Sequence, residues 1–486
     1  MSIEPELVGR TYDDFLLRPH RAVVTSRRDV SLRARLTRRV ELELPVISAN
    51  MDSVTEARMA KTMALEGGLG VIHRAMSIEA QVQMVRSVKR SQGYVVEDPL
   101  SLPRTATIDQ AREFTRRHGI SGILVEQMPG TRMLAGLLSN RDMPWTANEG
   151  DRPIAELMTP VERLHTAPPG IGVEEAEQRL FEHRIEKLPL MDERGRIAGL
   201  ITRKDLILFR QRPFSSRDAK GRLLVGAAIG ARADFLERAQ ALVEAGADVL
   251  VMDIAHAHAD VMGNALVRFR QRLPDAELVC GNVGTAEGAR FVVEHGADAV
   301  KVGIGPGRGC RTRLETAAGV PQLQAVREAW LGVGDRVPIV ADGGVKSDKD
   351  LFLAIAVGAS TVMLGSMLGG TDEAPGHVIT DPATGEKRKV YRGMTSPQAV
   401  LHGLYEAEGE EEAEQALDTP PEGQEMQVPY RGSVVPVLNR IRGHLRSSVS
   451  YAGERNLATA REKIVNDPLA YLIPLGAPAR RESYER

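Results

Sequence analysis

Cysteine is almost absent from this chain of 486 residues, with Cys280 and Cys310 the whole supply. Two thiols cannot build a disulfide framework or a cysteine-rich metal site. Net charge is equally scarce. The 63 basic and 65 acidic side chains nearly cancel, leaving −2, so no global basic field exists to hold a nucleic acid or an anionic membrane. Recognition of a charged ligand must therefore be local. Long apolar runs are missing as well. None reaches the roughly 18 residues of a membrane span, and the opening MSIEPELVGRTYDDFLL is too acidic and too interrupted for a signal peptide. These absences make the cytoplasm the expected location, and the length leaves room for two or three domains with a buried core.

What is present is a repeated grammar. Between Arg222 and Leu368 a short apolar run, a polar turn and a helical stretch ending in Gly-Ala recur. The runs are LLVGAAIG, DVLVMDIAHAH, AELVCGNVG with DAVKVGIGPG, and VPIVADGGV with STVMLGSML. An earlier unit at 44–73, LPVISANMDSV followed by EARMAKTMALEGGLGVIH, obeys the same rule. Strands and helices alternating every roughly 20 to 27 residues are parallel βα units. Continuous apolar runs are the mark of strands covered on both faces. An open doubly wound sheet and a closed barrel both fit that pattern. Glycine-rich, polar residues gather just after nearly every strand, which is where barrel enzymes place their chemistry, so an α/β protein with a (β/α)8 TIM barrel is expected.

Residues 95–212 break this grammar with a tandem repeat, at about 95–150 and 153–212, leaving 1–94 and 213–486 to the barrel. The repeat reads TATIDQAREFTRRHGISGILVEQ…RMLAGLLSNRDM and GIGVEEAEQRLFEHRIEKLPLMDERGRIAGLITRKDL. Asp142 and Asp205 follow the second strand of each copy at matched positions. Such a pair is a domain inserted in a barrel loop. The acidic run EAEGEEEAE at 406–414 is read as a solvated face, with a lid as the other reading.

The segment richest in chemistry is Lys301-Val-Gly-Ile-Gly-Pro-Gly-Arg-Gly-Cys-Arg-Thr-Arg313. Four glycines between 303 and 309 free the backbone to approach a ligand. Cys310 ends that loop, and Arg308, Arg311 and Arg313 are cations able to support a thiolate nucleophile. Cys280, inside ELVCGN, reads as core. Further turns at Asp342-Gly343-Gly344, Gly365-Ser366 and Tyr391-Arg392-Gly393-Met394 suit a phosphate cradle made of backbone N–H groups. Asp342 and Asp253 are strand-end acids suited to a ribose diol. His256 and His258 lack a third metal ligand and are read as loop residues.

These stretches resemble the IMP dehydrogenase/GMP reductase family over almost the whole chain. The resemblance rests on TYDDFLL, ISANMDSVTEARMA, EGGLGVIHR, GNVGTAEGAR, the Cys310 loop, ADGGV, GSMLGGTDEAPG, YRGM, PEG and VPYRG. It implies a (β/α)8 barrel assembling as a homotetramer or homo-octamer. The repeat is similar to tandem CBS modules, which implies regulation by ATP or GTP through Asp142 and Asp205. It implies that Ser48, Met51, Arg308, Asp342, Gly343, Gly344, Gly365, Ser366, Tyr391, Arg392, Gly393, Met394 and Glu422 bind GMP or IMP. It implies that Ser26, Arg27, Asp253, Ile254, Ala255, Gly303, Ile304 and Gly305 bind NADPH. Backbone carbonyls of Gly305, Gly307 and Cys310 would hold a monovalent cation, K+. Cys310, Thr312 and Glu373 would be catalytic.

The family contains two reactions that share a covalent purine on cysteine. The dehydrogenase hydrolyses that adduct with an Arg-Tyr pair on a mobile flap. The matching stretch here, Pro397–Pro421, has neither arginine nor lysine, and its sole tyrosine is Tyr405. The reductase releases ammonia through a Thr–Glu pair, mapped onto Thr312 and Glu373, and its N-terminal segment resembles LLRPHRAVVTSRRDV. Two departures stand against it. Ordinary reductases lack CBS modules, and Arg308 occupies the place of a phosphate-contacting serine. The expected activity is NADPH-dependent conversion of GMP to IMP and ammonia. The alternatives are an NAD-dependent IMP dehydrogenase with an atypical flap base, and a non-catalytic nucleotide sensor.

Overall fold

The structure is a computed structural model, and it describes residues 9–91, 93–144, 149–399 and 420–484. Most of the expected flap, residues 400–419, lies outside the described residues, as do Tyr405 and the acidic run. The chain divides into two compact units, one of residues 1–89, 214–218 and 223–486, the other of residues 90–213 and 219–222.

The first unit is a closed eight-stranded parallel barrel. Its strands are β1 (Val46–Ser48), β2 (Leu69–Ile72), β3 (Gly226–Ile229), β4 (Val249–Asp253), β5 (Leu278–Val283), β6 (Ala299–Val302), β7 (Ile339–Asp342) and β8 (Thr361–Leu364). Each pairs with its sequence neighbour, and β8 closes on β1 through Val362↔Val46 and Met363↔Ile47. The covering helices are α1 (Ala57–Leu65), α2 (Ile78–Lys89), α3 (Phe235–Glu244), α4 (Asp260–Arg272), α5 (Ala286–Glu294), α6 (Gln322–Val333), α7 (Asp348–Ala356) and α8 (Val434–Tyr451). One helix follows each strand, as the sequence grammar predicts. Local chemistry starts several of them. Thr285 accepts the Gly288 amide at the head of α5, and Ser433 accepts that of Val435 at the head of α8. A cap of this kind contributes about 1 kcal/mol.

Two-residue alternation decides which way each strand side chain points. Ile47, Val71, Ala228, Val249, Val251, Val279, Ala299, Val340 and Met363 fill the barrel interior. Their neighbours Val46, Ile72, Ala227, Leu250, Leu278, Val300, Ile339 and Val362 pack outward under the helices. This layering carries the core and also aims the functional residues. Counting on by two from Val251, Val279, Ala299 and Val340 gives Asp253, Gly281, Lys301 and Asp342. All four face inward at the C-terminal ends of β4 to β7.

The second unit contains two small sheets. One orders strands Thr159–Pro160, Leu134–Ser139, Gly122–Glu126 and Ser101–Pro103, with helix Ile108–His118. The other orders Lys187–Met191, Ile197–Thr202 and Val95–Val96, with helices Val173–Glu182 and Arg203–Arg210. The expected division at about 150 to 153 does not separate these sheets. Val95–Val96 pairs with Leu200 and Ile201 of the second repeat, and Thr159–Pro160 pairs with Leu137 and Gly136 of the first. Each repeat thus borrows an edge strand from outside its own stretch. The insertion point lies in the α2-to-β3 connection, a helix-to-strand turn, whereas the glycine loops are strand-to-helix turns.

Candidate active site

A cavity of about 870 Å³ opens at the C-terminal ends of the barrel strands, the size class of small-molecule sites. Met51, Asp253, Ile254, Ala255, Gly303, Ile304, Gly305, Gly307, Arg308 and Cys310 line it. So do Thr312, Asp342, Gly343, Gly344, Gly365, Ser366, Tyr391, Gly393, Met394 and Glu422. Most of the residues singled out in the sequence therefore converge on one space.

The reactive centre is a short relay. Cys310 Sγ lies 3.1 Å from Thr312 Oγ1. The threonine hydroxyl donates to Glu422 Oε2 at 2.7 Å, which leaves its oxygen free to accept from the thiol. Thiol, hydroxyl and carboxylate thus form a directed path for a proton. The backbone builds this path by bringing two distant segments together. Arg311 N donates to Glu422 O, Gln424 N donates to Gly309 O, and Cys310 bridges Gly423. Gly309 and Gly393 have to be glycine for this approach. A Cβ on Gly393 would sit 2.5 Å from Gly309 O, and one on Gly309 would sit 2.9 Å from Gly393 N.

Four sequence expectations need correction. Glu373 does not touch the relay. Its Oε1 accepts from Ser433 Oγ at 2.8 Å and its Oε2 from Val434 N at 2.7 Å, so it caps α8. Ser48 is fully buried and shares a hydrogen bond with Thr55 Oγ1, because alternation turns it toward the helix layer. Arg392 pairs with buried Asp52 at 2.7 Å and does not line the cavity. Ser26 and Arg27 lie off the cavity of their own chain. Ser26 caps a short turn, and Arg27 donates to Ser447 and Tyr451.

The arginines after the glycine loop divide their work. Arg311 pairs with Glu315, and Arg313 donates to the carbonyls of Ile304 and Val320. Arg308 alone of the three lines the cavity, and its guanidinium has no ion-pair partner among the described residues. Burial pushes the Tyr391 phenol well above its ordinary pKa, so it stays protonated and donates to Met51 Sδ. Burial also pushes up the Cys280 thiol, which packs in the core.

Three lining residues carry signals that the sequence reading passed over. Lys301 is a lysine inside the apolar strand DAVKVGIG, and only 1% of it is exposed. Its ammonium donates to Asp253 Oδ1 at 3.1 Å, to Asp342 Oδ2 at 2.6 Å and to Asn282 Oδ1. Asn282 also donates to Asp342 Oδ2 at 3.0 Å. Burial works against the ammonium, but the two carboxylates outweigh it and hold its pKa above the ordinary lysine value. Arg74, just after β2, is an exposed cation at the rim, four strands around the barrel from the β6 loop.

A protein-family model for the IMP dehydrogenase/GMP reductase domain matches residues 9–469. The chain belongs to this family. It is accordingly an oxidoreductase of a family that acts on GMP or IMP with a nicotinamide cofactor. It is 44% identical to an inosine-5'-monophosphate dehydrogenase of Nitrosopumilus maritimus, over 92% of this chain and 93% of that protein. It is 42% identical to one of Aquifex aeolicus, over 94% and 92%. Among solved structures it resembles the C318A variant of Trypanosoma brucei GMP reductase bound to guanosine 5'-monophosphate. The TM-score there is 0.85 and the identity 37%, covering 97% of this chain and 96% of that one. The same reductase bound to guanosine 5'-triphosphate gives a TM-score of 0.76 and 34% identity, covering 96% and 97%. Among the described residues no helix is long and apolar enough to cross a membrane.

Proposed function

We propose that this member of the family catalyses the reductive deamination of GMP to IMP and ammonia. The observation that carries the reading is the composition of Pro397–Pro421, which has no arginine and no lysine. A dehydrogenase must activate water against the covalent purine, and the Arg-Tyr pair that the family resemblance assigns to that step has no counterpart in the segment. The reductase needs no such base. It needs a proton for the departing amine, and the Cys310–Thr312–Glu422 relay supplies one.

In this reading Cys310 attacks C2 of GMP as a thiolate. Its proton passes through the Thr312 hydroxyl to Glu422, which delivers it to the 2-amino group as the C2–N bond breaks and ammonia leaves. NADPH, when bound, supplies the hydride that reduces C2, and the thiolate departs to give IMP. Asp342 accepts from the ribose diol, and the turns at Gly343-Gly344, Gly365-Ser366 and Gly393 present amides to the phosphate. Arg308 adds a cation there in place of a hydroxyl, and a guanidinium can bind phosphate in two-pronged fashion. Asp253, Ile254, Ala255 and Gly303 to Gly305 form the cofactor side. Arg74 suits the extra phosphate that distinguishes NADPH from NADH. Of the three carbonyls assigned to a monovalent cation, that of Gly307 already accepts the Cys310 amide at 3.0 Å; a carbonyl has a second lone pair, so the loop still fits K+.

The inserted repeat is read as a CBS pair that binds ATP or GTP. A GMP reductase structure covering 97% of this chain and 96% of its own supports reading such an insert as compatible with a reductase. The second reading, IMP dehydrogenase, is favoured by the names of the 42–44% identical relatives. The test is direct. Purified protein with GMP and NADPH is expected to oxidise the cofactor and release ammonia, and IMP with NAD to react far more slowly. Robust formation of XMP from IMP would overturn the assignment.

A further inference from the structure

We propose that Lys301 is a shared positioning residue that couples the substrate subsite at Asp342 to the cofactor subsite at Asp253, so that occupying one changes affinity at the other. The assignment of the two acids to substrate and cofactor rests on the function proposed above; the coupling follows from the geometry. An ammonium has three N–H donors and no acceptor. All three are used here, on Asp253, Asn282 and Asp342. The side chain is buried at the top of the barrel interior, so it cannot exchange one acid for water. Any shift toward one carboxylate lengthens the contact with the other.

The barrel makes space for this arrangement at one point. Gly281 occupies the same inward layer on β5, between Asp253 on β4 and Lys301 on β6. A Cβ there would come within 2.6 Å of Lys301 Cβ and 2.5 Å of its carbonyl oxygen. The missing side chain lets the lysine lean across β5 to Asp253 while it still meets Asp342 on the neighbouring β7. The acids are not equivalent. Asp253 has both oxygens engaged, Oδ1 by Lys301 and Oδ2 by Asn50 at 2.6 Å. Asp342 commits Oδ2 to Lys301 and Asn282, while among the described residues nothing donates to its Oδ1. One buried cation between two carboxylates leaves a net negative floor, which suits neutral donors such as sugar hydroxyls or a carboxamide and repels phosphate. A diol donating to the open oxygen of Asp342 weakens that acid's hold on the ammonium. Lys301 then shifts toward Asp253 and alters the field on the cofactor side. In a site of low dielectric such a shift is felt strongly, and by linkage the effect must be reciprocal.

The test uses the intact protein and needs no turnover. GMP affinity is measured by calorimetry with and without NADP+, and again with IMP as the purine ligand. In the wild type, NADP+ is expected to change GMP affinity by about threefold or more. In Lys301→Met the change is expected to fall below that factor. Asp253→Asn keeps the ammonium paired with Asp342, so it serves if Lys301→Met does not fold. That variant is expected to weaken GMP binding by about threefold or more although Asp253 belongs to the cofactor side, because the ammonium no longer divides its charge. Coupling that persists in Lys301→Met would overturn the proposal, as would GMP affinity unmoved in Asp253→Asn. Failure of the reductase reading would show separately, as absence of NADPH oxidation by the wild type, and the coupling could still be read with IMP.

Discussion

The barrel mouth and the inserted repeat both place an aspartate at or just after the end of a strand, yet they use it in opposite ways. In the insert, Asp142 Oδ2 accepts from the Ser139 amide at 2.7 Å and hydroxyl at 2.8 Å, and Asp205 pairs with the Thr202 hydroxyl. Each acid closes its own turn, within three residues. In the barrel, Asp253 and Asp342 are held by Lys301, 48 and 41 residues away along the chain. A local contact survives transplantation into any loop. A contact spanning four neighbouring strands exists only once those strands have paired. The first kind can be read from a short stretch of sequence, and the second kind needs the fold.

The sharpest break of that comparison concerns Cys310. Cys310→Ala is expected to reduce turnover to background while GMP affinity changes little, since the proposed phosphate and ribose contacts come from other residues. Turnover that survives would rule out a covalent route. In the unsubstituted protein, alkylation at neutral pH is expected to modify Cys310 and spare Cys280, whose thiol is buried and has its pKa raised. Mass analysis of the modified peptide decides this.

A smaller effect separates two carboxylates that look alike in sequence. Glu422→Gln is expected to lower kcat by about a hundredfold, the scale of acid–base assistance. Glu373→Gln is expected to leave kcat within about threefold and to lower unfolding stability by about 1–3 kcal/mol, because a buried cap is lost. The reverse pattern would restore Glu373 as the relay. Smaller again, Arg74→Ala is expected to raise the KM for NADPH by about tenfold and to leave that for NADH unchanged, on the scale of a charge-assisted phosphate contact. Equal losses with both cofactors would remove Arg74 from the phosphate subsite.

These contrasts show what the sequence could carry. The alternation of apolar runs and glycine turns specified the barrel, because parallel strands buried on both faces leave few other readings. The Cys310 loop was legible because its glycines and nucleophile are contiguous. The partner of Thr312 was not. Glu373 and Glu422 both follow glycine-rich or proline-rich stretches, and only the return of the 420–424 segment along the Cys310 loop selects one of them. Ser48 was misplaced by a single step of alternation, which is enough to turn a strand residue from the cavity to the helix layer. Lys301 was visible as a charge in an apolar strand. Its meaning depended on Asp253 and Asp342 lying in its own inward layer, which the strand register determines.

The smallest expected effect on basal activity tests the insert. Asp142 and Asp205 each spend one oxygen on their own turn, and in neither case does a described residue donate to the other oxygen. That leaves an acceptor for a ribose hydroxyl beside a strand end, in two copies related by the sequence repeat. The opposing reading is two inert caps. In that case Asp142→Ala with Asp205→Ala would cost a little stability, about 1 kcal/mol per turn, and nothing else. If the acids hold nucleotides, the double variant is expected to keep kcat and KM without effectors and to lose the response to added ATP or GTP. An effector acts only through a difference in affinity between states, and that difference needs its site. Steady-state rates with and without each nucleotide read this directly. A double variant that unfolds at a slightly lower temperature yet responds to ATP and GTP as the intact chain does would show that these two aspartates are caps and no more.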